Sequence, residues 1–174
     1  MTPKIEAWHK SRAFWGMIFL ILNKVAWSGP EAAPKSPPPY IARHRPTTRG
    51  KELDMSKQDT CCSIAPYFKV PAENLSRFKD LCARFIETTG QEAKCLYYGF
   101  AFDGDQVHCR EGYADADGLL AHLDNVGPLL QEALQLAEIT RLEIHGPAAE
   151  LDKLRGPLAE LNPQFFTLEC GFRK

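Results

Sequence analysis

Four residues near the middle of the chain have side chains that can move a proton or hold a small polar group. Glu111 and Tyr113 are separated by one residue, so on a β-strand they share a face. His122 follows nine residues after Tyr113, in a stripe with Leu119, Leu123 and Val126 whose three- and four-residue spacings place it on the apolar side of a helix. Tyr98 lies in an aromatic run upstream, beside Tyr97, and one of the two must point toward the helices. A histidine aimed into an apolar cavity can accept a substrate's phenolic proton near neutral pH. A carboxylate and a tyrosine beside it can orient that histidine or position the substrate. Each residue also has a plainer reading. His122 suits a semi-buried histidine bonded to a backbone carbonyl, Glu111 the partner of an arginine, and Tyr113, Tyr97 and Tyr98 ordinary packing aromatics.

Other chemistries find less support. No Cys-x-x-Cys pair and no His-Glu-x-x-His motif occurs, so a metal site is not called for. No cysteine stands out as a thiol whose pKa a basic group would lower, so a thiol nucleophile finds no support in the sequence. Six cysteines raise the question of disulfides, but Cys61 and Cys62 are adjacent in a strand and point to opposite faces. Cys95 and Cys109 lie on two arms of a hairpin, with Cys109 opposite residue 98, 99 or 100. That offset is roughly 10–17 Å at ~3.4 Å per residue, beyond the ~7 Å Cα separation that a disulfide spans. His108 and Arg110 alternate with Glu111, and His145 shares a face with Arg141 and Glu143. Such polar alternation belongs to a solvated or subunit-facing surface.

The elements that carry these residues follow from periodicity. Thr60 to Val70 reads as a strand, with Cys62, Ile64 and Phe68 on one face, Ala65 and Tyr67 on the other, and a bulge or frayed end at Pro66. Pro71 opens a helix with the stripe Leu75, Phe78, Leu81, Cys82, Phe85 and Ile86, and Gly90 ends it. Lys94 to Phe102 and Gln106 to Tyr113 form a hairpin about Asp103-Gly104. Asp115 caps a short helix through Asn125, and Gly127-Pro128 breaks the chain before another helix ending near Leu136. Glu138 to His145 is a strand with Thr140, Leu142 and Ile144 on one face. Pro147 starts a helix carrying Leu151 and Leu154, and Gln164 to Phe172 is the last strand. The order is β-α-β-β-α-α-β-α-β, an α+β class, ferredoxin-like antiparallel sheet with helices on one face. Leu96, Tyr98, Phe100 and Phe102 alternate with Cys95, Tyr97 and Ala101, so both faces carry apolar groups. A second copy covering the open face is the simplest remedy, giving a homodimer.

The order of elements, the run Glu111-Gly112-Tyr113-Ala114-Asp115-Ala116-Asp117-Gly118-Leu119-Leu120-Ala121-His122 and the opening Ala65-Pro66-Tyr67-Phe68-Lys69-Val70 resemble the antibiotic biosynthesis monooxygenase family of dimeric α/β barrels, over about residues 60–172. That family shows a Glu, an aromatic two residues on, and a His nine residues after the aromatic. The resemblance implies a dimer whose two sheets face each other. It further implies a monooxygenase that oxidises a quinol or hydroxyquinone with O₂ and no cofactor, with His122 as catalytic base and Glu111, Tyr113 and Tyr98 about the substrate. Many members have no assigned function, so a non-catalytic small-molecule-binding or stress-associated dimer is the alternative, and an interaction module using the open sheet is a third. Haem-degrading members carry a Trp where this chain has His122 and an iron-ligating His ten residues later. Here that later position is Glu132, and residues 57–174 contain no Trp.

Residues 1–54 differ in kind from the rest. They hold nine Lys/Arg against four Asp/Glu and seven of the 13 prolines, whereas residues 55–174 hold 12 against 18. The whole-chain net charge of −1 gives no reason to expect nucleic acid or an anionic membrane as partner. Lys4, Lys10 and Arg12 precede a ten-residue apolar run, Ala13 to Leu22, and Ala26-Trp27-Ser28 offers a cleavage pattern, the layout of a signal peptide. The run is half the ~20 residues that a membrane span needs. The competing readings are a disordered tail and sequence upstream of a start at Met55. These favour a cytoplasmic protein, and the signal reading a secreted or organelle-targeted one. The compact domain is expected at residues 57–174.

Overall fold

The computed structural model describes residues 59–171. The expectations for residues 1–54, and the division between them and the domain, lie outside the described residues. The strands are β1 (Cys62–Lys69), β2 (Cys95–Asp103), β3 (Gln106–Tyr113), β4 (Glu138–Gly146) and β5 (Gln164–Thr167), and the helices are α1 (Leu75–Thr89), α2 (Ala116–Leu136) and α3 (Ala148–Arg155). The sheet order is β2-β3-β1-β4-β5. The first four strands pair antiparallel in the ferredoxin-like order, and β5 joins β4 in parallel through α3, so the expected all-antiparallel sheet acquires one parallel edge.

The core lies between the sheet and the helices. Cys62, Ile64 and Phe68 of β1, Val107, Cys109 and Tyr113 of β3, and Ile139 and Ile144 of β4 are buried against Phe78, Leu81, Phe85, Leu119, Leu123 and Val126. In α1 the buried stripe ends on Thr89, and Ile86, expected in it, is 53% exposed. The α1 stripe has rotated past Ile86 by the helix's last turn. Pro71 opens a 3₁₀ turn (Ala72–Asn74) ahead of α1, and the Asn74 side-chain amide donates to the Leu136 carbonyl at 2.9 Å, at the end of α2. Asp115 caps α2 as expected, accepting from the Gly118 N–H at 2.8 Å. The hairpin turns on Gly104, whose φ of 58° suits glycine.

Four further expectations about the elements change. Gly127-Pro128 does not break the chain, and α2 runs 21 residues with Pro128 inside it. An interior proline costs ~3 kcal/mol, but Leu119, Leu123 and Val126 before it and Leu129, Ala133 and Leu134 after it are buried in one core. Each buried leucine contributes ~1.5–3 kcal/mol, so one continuous stripe outweighs the lost rung. In β4, Thr140 is an extra residue opposite the Tyr67–Phe68 step, which turns Ile139 inward and Thr140 outward. In β2, Leu96 is the extra residue between the pairs Cys95↔Tyr113 and Tyr97↔Gly112, so Leu96 is exposed and Cys95 packs on the core. The last strand stops at Thr167.

The open face of the sheet is mixed rather than apolar. Tyr67, Tyr97, Ala65, Ala101 and Phe166 are interleaved with His108, Arg110, Arg141, Glu143 and His145. The Arg110 guanidinium lies 5.3 Å from the Tyr97 ring centre and that of Arg141 5.6 Å from Tyr67. Tyr67 stacks on His108 at 4.4 Å, and His145 on Phe166 at 4.8 Å. Tyr97 folds over Gly112, where a Cβ would come within 2.4 Å of the ring. The chain's own cations and imidazoles thus lie against part of the aromatic surface expected to need a second layer, while Tyr97 remains 38% exposed.

Since Pro128 is carried by packing rather than by local preference, Pro128→Ala should raise the free energy of unfolding by about 1–2 kcal/mol. Urea unfolding of the full chain measures this, and an unchanged or lower midpoint would show that the helix gains something specific from the proline.

Candidate functional site

The strand alternation and the registers bring together the four residues singled out in the sequence. Glu111 and Tyr113 point from β3 toward the helices and are both buried. Tyr98 stands directly opposite Glu111 in the β2–β3 register, with Ile64 opposite on the other side. Two turns into α2, His122 comes down over them, 2% exposed, with its ring centre 4.9 Å from that of Tyr113 and 5.5 Å from that of Tyr98.

Both imidazole nitrogens are engaged. Nε2 lies 3.0 Å from Glu111 Oε2, which also accepts a short hydrogen bond from the Tyr113 hydroxyl. Nδ1 lies 3.0 and 3.1 Å from the two carboxylate oxygens of Glu92. Glu92 was not singled out in the sequence because it sits in the turn after α1, where no periodicity marks a face. That turn is fixed by backbone bonds on either side, Glu92 N–H to Thr89 at 2.9 Å and Cys95 N–H to the Glu92 carbonyl at 3.1 Å. The Asn125 amide donates to Glu92 Oε1 at 2.8 Å. The result is a hydrogen-bonded chain, Tyr113–Glu111–His122–Glu92–Asn125.

The electrostatics follow from this geometry. Burial pulls the His122 pKa down, but the hydrogen bonds to Glu111 and Glu92 and their negative charges outweigh it and hold the imidazolium up to about 9. For Glu92, burial acts upward while His122 and Asn125 act downward and prevail, leaving the carboxyl below its ordinary value. Burial and the Glu111 charge push the Tyr113 and Tyr98 phenols well above the usual range. At neutral pH the ring is therefore an imidazolium, with Glu92 at its Nδ1 edge and Glu111 at its Nε2 edge. Cys62 and Cys82 are pushed up to about 12, chiefly by burial, and Cys109 is raised in the same way, so these thiols stay protonated.

Glu111 and His122 line a cavity of about 50 Å³ whose other walls are apolar, among them Phe78, Phe85, Tyr98, Phe100, Leu123 and Val126. Tyr113, expected near the substrate, stands behind Glu111 and does not line it. Glu132 faces away, paired with Arg84 on the exposed surface between α1 and α2. Among the described residues no group of three or more His, Cys, Asp or Glu can hold a metal ion. Glu92 and Glu111 lie at opposite edges of one ring and do not converge. Also among the described residues, no helix is long and apolar enough to cross a membrane.

No family model and no curated protein matches the chain. Among solved structures, MupZ from Pseudomonas fluorescens is 57% identical, with a TM-score of 0.64, over 66% of this chain and 94% of that one. The chain belongs to the MupZ family. Its described domain is similar at much lower identity to SnoaB, a cofactor-independent oxygenase from Streptomyces nogalater (12%, TM-score 0.44, over 49% of this chain and 90% of that one). An antibiotic biosynthesis monooxygenase is 17% identical (TM-score 0.43, over 48% and 92%).

A histidine with a folded-state pKa of about 9 against an ordinary 6.5 stabilises the fold fully below pH 6.5, and that stabilisation is lost as pH rises through 9. Stability should fall by roughly 3 kcal/mol across this window. Urea unfolding at intervals of pH measures the slope, and His122→Gln should flatten it. An equal slope in that variant would assign the dependence to other groups.

Proposed function

We propose that this MupZ-family protein is a cofactor-independent oxygenase of the antibiotic biosynthesis monooxygenase type, acting on an aromatic hydroxy compound such as a quinol or hydroxyquinone. The observation that supports it most strongly is the placement of a buried carboxylate–imidazolium pair, Glu111 and His122, at the end of an otherwise apolar, aromatic-walled cavity. The Glu–aromatic–His spacing described above supports the same reading. Apolar walls hold a planar ring and keep water from reactive intermediates.

The sequence reading gave the base role to His122. An imidazolium that donates from both nitrogens has no lone pair to offer, so in this proposal the phenolic proton goes to Glu111. His122 then stabilises the negative charge that develops on the ring oxygen and on reduced dioxygen. The electron-rich phenolate reduces O₂. One oxygen atom enters the ring as a quinone oxygen, and the other leaves as water with the hydroxyl and ring hydrogens.

A second reading, a non-catalytic small-molecule-binding protein, is favoured by the cavity's size. About 50 Å³ is a third of the ~150 Å³ that accepts benzene. A ring enters only by displacing lining side chains, and Leu130 and Leu142, both only half-buried, are the candidates. Pairing of two copies through the open sheet face, with Tyr67, Tyr97 and Phe166 at the contact, completes the proposal as a homodimer.

Oxygen uptake by the purified full-length protein with a panel of quinols and hydroxyquinones tests the reaction. The expected result is one quinone formed per O₂ consumed, with Glu111→Gln slowing turnover by ~10²-fold or more. Saturable binding without oxygen uptake would favour the second reading, and turnover unaffected by Glu111→Gln would remove the assigned base.

A further inference from the structure

Glu92 is the one member of the buried trio that the proposed reaction leaves without a task. Its carboxylate grips His122 Nδ1 with both oxygens, at 3.0 and 3.1 Å, on the edge of the ring facing away from Glu111. Asn125, three residues beyond His122 on α2, donates to the same carboxylate at 2.8 Å. One turn of α2 thus presents two donors to one acceptor, which fixes both the rotation of the helix face and that of the imidazole. Glu92 is also the trio's contact with solvent, its side chain 15% exposed against 4% for Glu111 and 2% for His122.

We propose that Glu92 is the positioning residue of the site, holding His122 doubly protonated and aiming its Nε2–H at Glu111. The catalytic consequence rests on the oxygenase reading, while the hold on His122 does not. The groups facing the His122 ring are Glu111 and Tyr113 from β3, Tyr98 from β2, Glu92 from the turn after α1, and Asn125 from α2 itself. Two are carboxylates, and none of the five is a cation. Replacing Glu92 by glutamine keeps an acceptor for Nδ1–H but removes half of the negative charge that makes the imidazolium stable between two carboxylates. The imidazole then becomes neutral closer to physiological pH. It either turns a bare nitrogen toward Glu111, setting two acceptors against each other, or keeps Nε2–H without the charge that stabilises an oxyanion.

An NMR titration of the His122 ring in the full-length protein and in Glu92→Gln reads the hold directly. The expected result is a tenfold or greater loss of proton affinity in the variant with its amide spectrum otherwise native. Glu92→Ala should shift the midpoint in the same direction, and it serves if Glu92→Gln does not fold. With a turned-over substrate, the alkaline limb of the kcat profile should move down by the same interval while KM changes little. An unshifted His122 midpoint in Glu92→Gln, or in Glu92→Ala if that is the variant that folds, would overturn the proposal. A shifted midpoint in a protein that consumes no oxygen would leave Glu92's hold standing and remove the oxygenase reading instead.

Discussion

Two carboxylates on either side of one imidazole, with Glu111 and His122 buried between the sheet and its helices and Glu92 at the solvent rim, form the arrangement on which the site depends. Each ion would cost several kcal/mol to bury alone. Together they satisfy one another through charge-assisted hydrogen bonds, and the trio carries a net negative charge that a protonated histidine keeps small. Three separate elements must agree for this to occur. β3 must turn Glu111 inward, α2 must start soon enough after β3 to bring His122 down two turns later, and the turn after α1 must place Glu92 beneath Asn125. The Asp115 cap and its ion pair to Lys94, at 2.7 Å, fix the second of these. The backbone bonds around Glu92 fix the third.

The same arrangement limits the chemistry. A histidine held between two carboxylates is a charged donor, suited to stabilising an anion rather than to removing a proton. The carboxylate that meets the cavity is the natural acceptor. The outer face of the sheet sets arginines over tyrosines and stacks histidines on aromatic rings, a mixed surface rather than a purely apolar one. Dimerisation and cavity chemistry are thus separate questions in this fold, the first belonging to the outer face of the sheet and the second to the inner.

The sequence made the inner face of the site legible and left its edges obscure. Strand alternation is strict, so Glu111, Tyr113 and Tyr98 could be assigned to a common face, and the helical stripe through Leu119, Leu123 and Val126 brought His122 to it. Glu92 was invisible because a turn has no period and its carboxylate looks like any other surface acid. The bulges at Leu96 and Thr140 were equally hidden, since an extra residue shows only when the partner strand is known. Pro128 misled for a different reason. Local preference argues for a break there, and only the burial of leucines on both sides, a tertiary effect, keeps the helix whole.

Neutron diffraction from crystals grown near neutral pH tests the central claim most directly, because it locates the protons on His122. The expected result is deuterium on both Nδ1 and Nε2 of His122 and none on the Glu92 carboxylate. Density on only one ring nitrogen, or a deuterium on the Glu92 carboxylate, would contradict that claim.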